Sequence, residues 1–265
     1  MVSTFYLKIK VFFLYFNQAR IPLVAAGLTF MTQLALVSLL TLILYFSTFS
    51  PQIDMFTDAF MGYLYQTLIP AGAESVFEQI NLFRHQALNL KTIGFIALFL
   101  ISLLFIQSID YTFNQILEVK KPYSLWKKIT IYWLFLLFLP FVIGGAVLVR
   151  DYLSDNLLLQ HYPNLTALLQ GLISLIFNVF FLWLFYRCLF VNQTANRAVF
   201  IAALFTVATI RAAYHLFLYY LDSVNGYTDI YGASAIVLAF LLWLNLLWLL
   251  LLSGAVGIRV LSPSQ

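Results

Sequence analysis

The chain has very few charged residues. Asp, Glu, Lys and Arg make up 9% of its 265 residues, whereas soluble domains carry roughly a quarter. Hydrophobic residues make up 63%, and the mean hydropathy is +0.94. So little charge cannot cover a water-facing surface. The composition therefore excludes a soluble globular protein and predicts a membrane protein.

Cysteine and nucleotide-binding motifs are also scarce. Cys188 is the single cysteine, so a disulfide within the chain is excluded. The pattern G-x-x-x-x-G-K-[ST], which cradles the phosphates of ATP, does not occur. The chain is therefore not expected to be an ATP-driven pump.

The sequence has many long apolar runs; five of them contain no charged residue, and a sixth is interrupted by Arg211. About 20 apolar residues suffice to cross a bilayer core as a helix, and six stretches are long enough. We therefore predict an all-α membrane protein with six transmembrane helices in one polytopic domain, residues 1–265. The approximate spans are 21–46, 92–114, 129–149, 166–190, 199–220 and 234–256.

The distribution of charge predicts the orientation. If six spans alternate, ten of the fourteen Lys and Arg residues fall on the side of the termini. Cationic short loops stay in the cytoplasm, so both termini are expected there. The net charge of +4 then reflects topology, and no nucleic-acid partner is expected.

Two segments outside the spans have helical patterns. The short apolar patch 11–16 follows Lys8 and Lys10 and has no cleavage site after it, so we predict an amphipathic helix at the membrane interface rather than a signal peptide. The long outer loop 49–91 is predicted to contain two short amphipathic helices. Its acidic pairs fit the first turns of helices, and no metal site is expected.

Polar residues recur on one face of the second span. Gln107, Asp110 and Asn114 are spaced by three and four residues, which places them together on a helix. Ile109, Phe113 and Leu117 occupy the other positions. A polar stripe that faced lipid would be costly, so we expect it to face other helices or water.

The fifth span contains an internal cation. Arg211 lies deep in the span, and His215 follows one helical turn later on the same face. Ionisable residues within spans are functional candidates, although both could also reach the outer interface. Asn178 and Asn245 could contribute to a shared polar cavity, and a pairing of Asp110 with Arg211 is a hypothesis.

Two segments carry a resemblance to a known family. They read "SIDYTFNQILEVKK", from residue 108, and "DIYGASAIVLAFLLWLNLLWLLLLSGA", from residue 229. The chain resembles the YihY/BrkB family of bacterial inner-membrane proteins, formerly called ribonuclease BN, over nearly its whole length. The most specific positions are Ser108, Asp110, Asn114, Asn196, Arg197, Ile230, Tyr231, Gly232, Trp243, Gly254 and Ala255.

The resemblance implies six spans, an inner-membrane location and a link to envelope integrity or serum resistance. It implies no substrate. The chain departs from the family pattern in several places. Val256 stands where a Glu usually follows the last Gly-Ala, and Arg211 and His215 replace what are often an acidic residue and a lysine.

Two functions from different classes remain open. The first is a transporter or lipid-handling protein that binds an anionic lipid or solute in a polar cavity. The second is a scaffold that binds membrane-protein partners or a second copy of itself. No enzymatic activity, catalytic residue, cofactor or metal is expected. A metal-dependent ribonuclease would need clustered carboxylates or histidines on the cytoplasmic side, and the predicted topology leaves Glu118 there, with Asp110 embedded behind it.

Overall fold

A computed structural model describes five parts of the chain: residues 2–47, 92–118, 163–189, 195–223 and 234–262. Several predictions lie outside these residues. They concern the span at 129–149, the outer loop at 49–91, and the motif positions Ile230, Tyr231 and Gly232.

The described residues form helices and no strands, which confirms the all-α prediction. The helices are α1 (Val2–Gln18), α2 (Ile21–Ser47), α3 (Thr92–Leu117), α4 (Pro163–Leu189), α5 (Asn196–Ser223) and α6 (Ser234–Leu261).

Three segments are long and apolar enough to cross a membrane: Leu168–Leu189, Asn196–Leu221 and Val237–Leu261. Tyr6–Gln18 and Ile21–Ala35 meet the same criterion only as a pair, bent by 52° at the break between them. The described residues thus provide three spans, or four if the bent pair is one span. Six spans stay a prediction.

Local sequence explains several helix ends. Pro163 opens α4 and Pro22 lies in the first turn of α2, where a proline's missing N–H is not needed. Arg20, with φ 48°, separates α1 from α2, and Glu118, with φ 51°, follows α3. Both residues have the left-handed conformation that commonly ends a helix.

The chain divides into two compact units. Unit 1 contains Met1–Ile21, Thr112–Tyr214 and Leu250–Gln265, and unit 2 contains Pro22–Tyr111 and His215–Leu249. In unit 1, α5 buries a row of small side chains at spacings of three and four, which lets neighbouring helices approach closely. These residues are Ala198, Val199, Ala202, Ala203, Thr206 and Val207. In unit 2 the buried residues include Ala25, Leu28, Thr29, Ala35, Ile109 and Trp248.

Candidate functional site

Tyr186 is the centre of a buried polar contact in unit 1. Its side chain is fully buried, and its hydroxyl donates to the carbonyl oxygen of Leu251 at 2.8 Å. The Thr206 hydroxyl lies 3.5 Å from the Tyr186 oxygen and donates to the carbonyl of Ala202 at 2.8 Å. A hydroxyl in hydrocarbon must find a partner in the protein. These bonds therefore join α4, α5 and α6.

Gly254 makes this contact sterically feasible. A Cβ atom at this position would overlap the Tyr186 hydroxyl and the Thr206 hydroxyl. Gly257, one turn further along α6, has open space where its Cβ would be. The motif position Gly254 thus has a packing role, because only glycine leaves room for the two hydroxyls.

Arg211 forms an interhelical hydrogen bond in unit 1. Its Nη2 donates to the Ser174 hydroxyl at 2.9 Å, joining α5 to α4. Arg211 is fifteen residues from the start of α5, or about 22 Å along the helix, and it is half-buried. Within the described part of the chain, no carboxylate pairs with this guanidinium.

Ser174 belongs to a polar row on α4. Gln170, Ser174 and Asn178 are four residues apart and therefore lie on one helix face. Ser174 and Asn178 are exposed, and Gln170 is half-buried. Gly171, beside this row, has nothing within 4 Å of a hypothetical Cβ. The structure thus brings the predicted residue Arg211 to the helix that carries Asn178.

Sequence reasoning missed Ser174 and Gln170. A serine within a span is ordinary, because its hydroxyl can bond to its own helix. The repeat of polar residues at positions 170, 174 and 178, in an otherwise apolar helix, was the available signal.

The stripe on α3 lies on the less buried side of that helix. Gln107 is exposed and Asp110 and Asn114 are half-buried, whereas Ile109 and Phe113 are buried. Ser108 donates to the carbonyl of Leu104 in its own helix at 2.8 Å. His215, on α5, is exposed.

Asn245 has an interhelical role in unit 2. Its Nδ2 donates to the Thr29 hydroxyl at 3.4 Å. One turn along, the indole N–H of Trp248 donates to the Thr32 hydroxyl at 2.8 Å. The motif residue Trp243 packs its ring on Phe217, with centroids 5.3 Å apart. Asn245 therefore contributes to holding α2 and α6 together.

Arg259, near the end of α6, has three partners in unit 1. Its Nη2 lies 2.6 Å from the Glu118 carboxylate, and its Nη1 donates to the carbonyl of Ile116 at 2.9 Å. Its guanidinium carbon lies 3.8 Å from the centre of the Tyr15 ring. The topology prediction counts Arg259 among the cations on the side of the termini and places Glu118 on the same side. It does not pair the two, because nothing local connects positions so distant in the chain.

The start of α5 lies near the end of α6. The Ala195 N–H donates to the Ser262 hydroxyl at 3.3 Å. The motif residues Asn196 and Arg197 follow in the first turn, and both are exposed. No group of three or more His, Cys, Asp or Glu residues that could hold a metal occurs among the residues described.

Apolar helices of spanning length, joined by buried hydroxyls and an internal arginine, define a helical membrane protein. Residues 12–263 match the family model described as Virulence factor BrkB. The chain belongs to this family, which confirms the resemblance drawn from its motifs.

Curated relatives are named UPF0761 membrane proteins. One, from Neisseria meningitidis serogroup B, is 38% identical over 251 residues, which are 94% of this chain and 62% of the relative. Another, from Pseudomonas paraeruginosa, is 29% identical over 249 residues, 93% of this chain and 60% of the relative. The chain thus spans about three fifths of the length of these relatives. No solved structure matches it.

Proposed function

We propose that this protein is a transporter or lipid-handling protein of the bacterial inner membrane that binds the anionic group of a lipid or solute at Arg211. The observation that carries the proposal is that Arg211 is bonded to an uncharged partner, the Ser174 hydroxyl. A guanidinium within a span donates to a serine hydroxyl, and no described carboxylate neutralises it.

The energetics favour a ligand at this position. An arginine at the bilayer centre costs at least roughly 2.5–3.5 kcal/mol on insertion scales, so a span retains one where it has a role. One hydrogen bond to serine uses one of the five guanidinium donors. The others can bind a phosphate or carboxylate in the bidentate geometry that arginine favours.

The polar row on α4 supports the same site. Ser174 and Asn178 are exposed on the helix to which Arg211 is bound. A hydroxyl and an amide can donate to further oxygens of an anionic headgroup. We propose that this site binds its ligand and performs no enzymatic chemistry. We also propose that both termini lie in the cytoplasm.

A scaffold is the second candidate. It is favoured by the contacts of Tyr186 and of Asn245, which are interhelical and need no ligand. In that case the bond from Arg211 to Ser174 would be one more interhelical bond, worth about 0.6 kcal/mol.

Native mass spectrometry of the detergent-released protein distinguishes these functions. Wild type should retain a specific anionic lipid or solute, and Arg211→Leu should lose it while remaining folded. Arg211→Lys, which keeps the charge but loses the planar fork, should retain less than wild type.

Thr209→Val is the matched control. Thr209 lies on α5 close to Arg211, and among the residues described its hydroxyl bonds only to carbonyls of its own helix, those of Phe205 and Thr206. This variant should retain the ligand as wild type does. Equal retention by wild type and Arg211→Leu would contradict the proposal and favour the scaffold.

A further inference from the structure

Helix α1 exposes large apolar side chains next to cations. Tyr6 is 71% exposed, Leu7 61% and Phe13 59%. Lys8 and Lys10, between them in the sequence, are exposed as well. Soluble surfaces rarely combine several exposed large apolar residues in so short a segment.

Arg259 holds α1 at one end of unit 1. It contacts Tyr15 of α1, the carbonyl of Ile116 in the last turn of α3, and the Glu118 carboxylate just after that helix. Because Arg259 lies in the last turn of α6, α1 is packed where α3 and α6 end.

Further cations lie at this end. The bond from Ala195 to Ser262 brings the first turn of α5 to the end of α6, so Arg197 belongs to the same region. Arg20 lies in the two-residue turn that follows α1. Both arginines are exposed.

The charge of this region is not neutralised within the described structure. Glu118 is the only carboxylate among the described residues of unit 1, and it is paired with Arg259. Four exposed cations have no ion-pair partner among the residues described. They are Lys8, Lys10, Arg20 and Arg197.

We propose that α1 lies in the headgroup region of the adjacent leaflet and selects anionic phospholipids through these four exposed cations. The apolar residues enter the boundary of the acyl chains, as in interfacial amphipathic helices, while lysines next to a spanning bundle bind an anionic surface. Because apolar and basic residues are interleaved on a helix beside membrane spans, lipid fits this face better than an acidic protein. This surface is separate from the site at Arg211 and does not depend on it.

An environment-sensitive label on α1 tests the proposal. Cys188→Ser removes the native thiol, and Phe13→Cys places a nitrobenzoxadiazole probe on the exposed face of α1. The labelled protein is reconstituted in nanodiscs of phosphatidylcholine with increasing phosphatidylglycerol. The probe emission should shift to the blue as phosphatidylglycerol increases, and added salt should reverse part of the shift because it screens exposed charge.

Lys8→Gln together with Lys10→Gln should weaken this response. Each lysine removed should lower the partition of α1 onto the anionic surface by about fivefold, as expected for a basic residue near an anionic leaflet. Gln18→Ala, an uncharged change on the same helix, should leave the response as in the parent.

Emission that does not depend on phosphatidylglycerol, or a lysine variant that responds like the parent, would overturn the proposal. An unchanged circular-dichroism spectrum and an unchanged elution volume in size-exclusion chromatography show that the lysine variant is folded, so this test stands whether or not Arg211 binds a ligand.

Discussion

Among the glycines that the structure describes, Gly254 is the one where an added methyl group should have the largest effect. Its hypothetical Cβ overlaps the hydroxyls of Tyr186 and Thr206. Because Tyr186 is fully buried, its ring has little freedom to move away. Gly254→Ala should therefore lower the free energy of unfolding by about 1–3 kcal/mol, the usual effect of overpacking. Unfolding in mixed micelles, followed by circular dichroism, measures this.

Gly257→Ala is the control for that substitution. It lies on the same helix, its Cβ would meet no atom within 4 Å, and alanine is favoured over glycine in a helix by roughly 1 kcal/mol. This variant should be as stable as wild type or more stable. If both alanine variants lost the same free energy of unfolding, the loss would come from reduced helix flexibility and not from the contact with Tyr186.

Tyr186→Phe tests whether the tyrosine hydroxyl causes the overlap. Alone it removes the bond to the Leu251 carbonyl and should lower stability by about 0.5–1.5 kcal/mol. Combined with Gly254→Ala it also removes one of the two overlaps of the new methyl group and leaves the overlap with the Thr206 hydroxyl. The double variant should therefore be more stable than the sum of the two single effects predicts. Strict additivity in the same unfolding assay would contradict the geometry.

The pairs of helices that lie side by side could not be read from local sequence. Hydropathy and the absence of charge identify apolar helices, since those signals are contained in about 20 neighbouring residues. The bond from Tyr186 to Leu251, by contrast, joins residues 65 positions apart. Whether Ser174 or Asn178 meets Arg211 depends on the register between α4 and α5, which no local sequence pattern encodes.

Polar residues on a span also had more than one physical explanation. Asn245 and Arg211 were both predicted for a polar cavity, because both are polar in an apolar helix. In the structure Asn245 donates to Thr29 and contributes to packing, whereas Arg211 donates to an exposed serine. Residue type alone does not separate these two environments, because the difference lies in the partner.

Arg259 of α6 contacts both α1 and the end of α3. Arg259→Gln removes the ion pair with Glu118 and the contact with the Tyr15 ring, so α1 should be held less firmly. Trypsin should then cleave faster after Arg20, which lies in the exposed turn between α1 and α2. Gel analysis of timed digests in detergent measures the rate.

Glu118→Gln should have a smaller effect on the same cleavage. It removes the carboxylate but leaves Arg259 able to contact the Ile116 carbonyl and the Tyr15 ring. Glu118 is 63% exposed, and exposed ion pairs contribute little, typically below about 1 kcal/mol. If the two variants were cleaved at the same rate as wild type, Arg259 would not be what holds α1.

For the chain as a whole, the predicted orientation can be tested with single cysteines in the Cys188→Ser background. We expect cysteines placed near residue 3 and residue 264 to be protected from a membrane-impermeant maleimide in intact cells, because cations next to the termini favour a cytoplasmic location for both ends. A cysteine placed within 49–91 should react. Permeabilised cells should label all three positions, which controls for reactivity. A reactive terminus in intact cells would reverse the orientation, place Glu118 and Arg259 outside, and reopen the question of which leaflet α1 contacts.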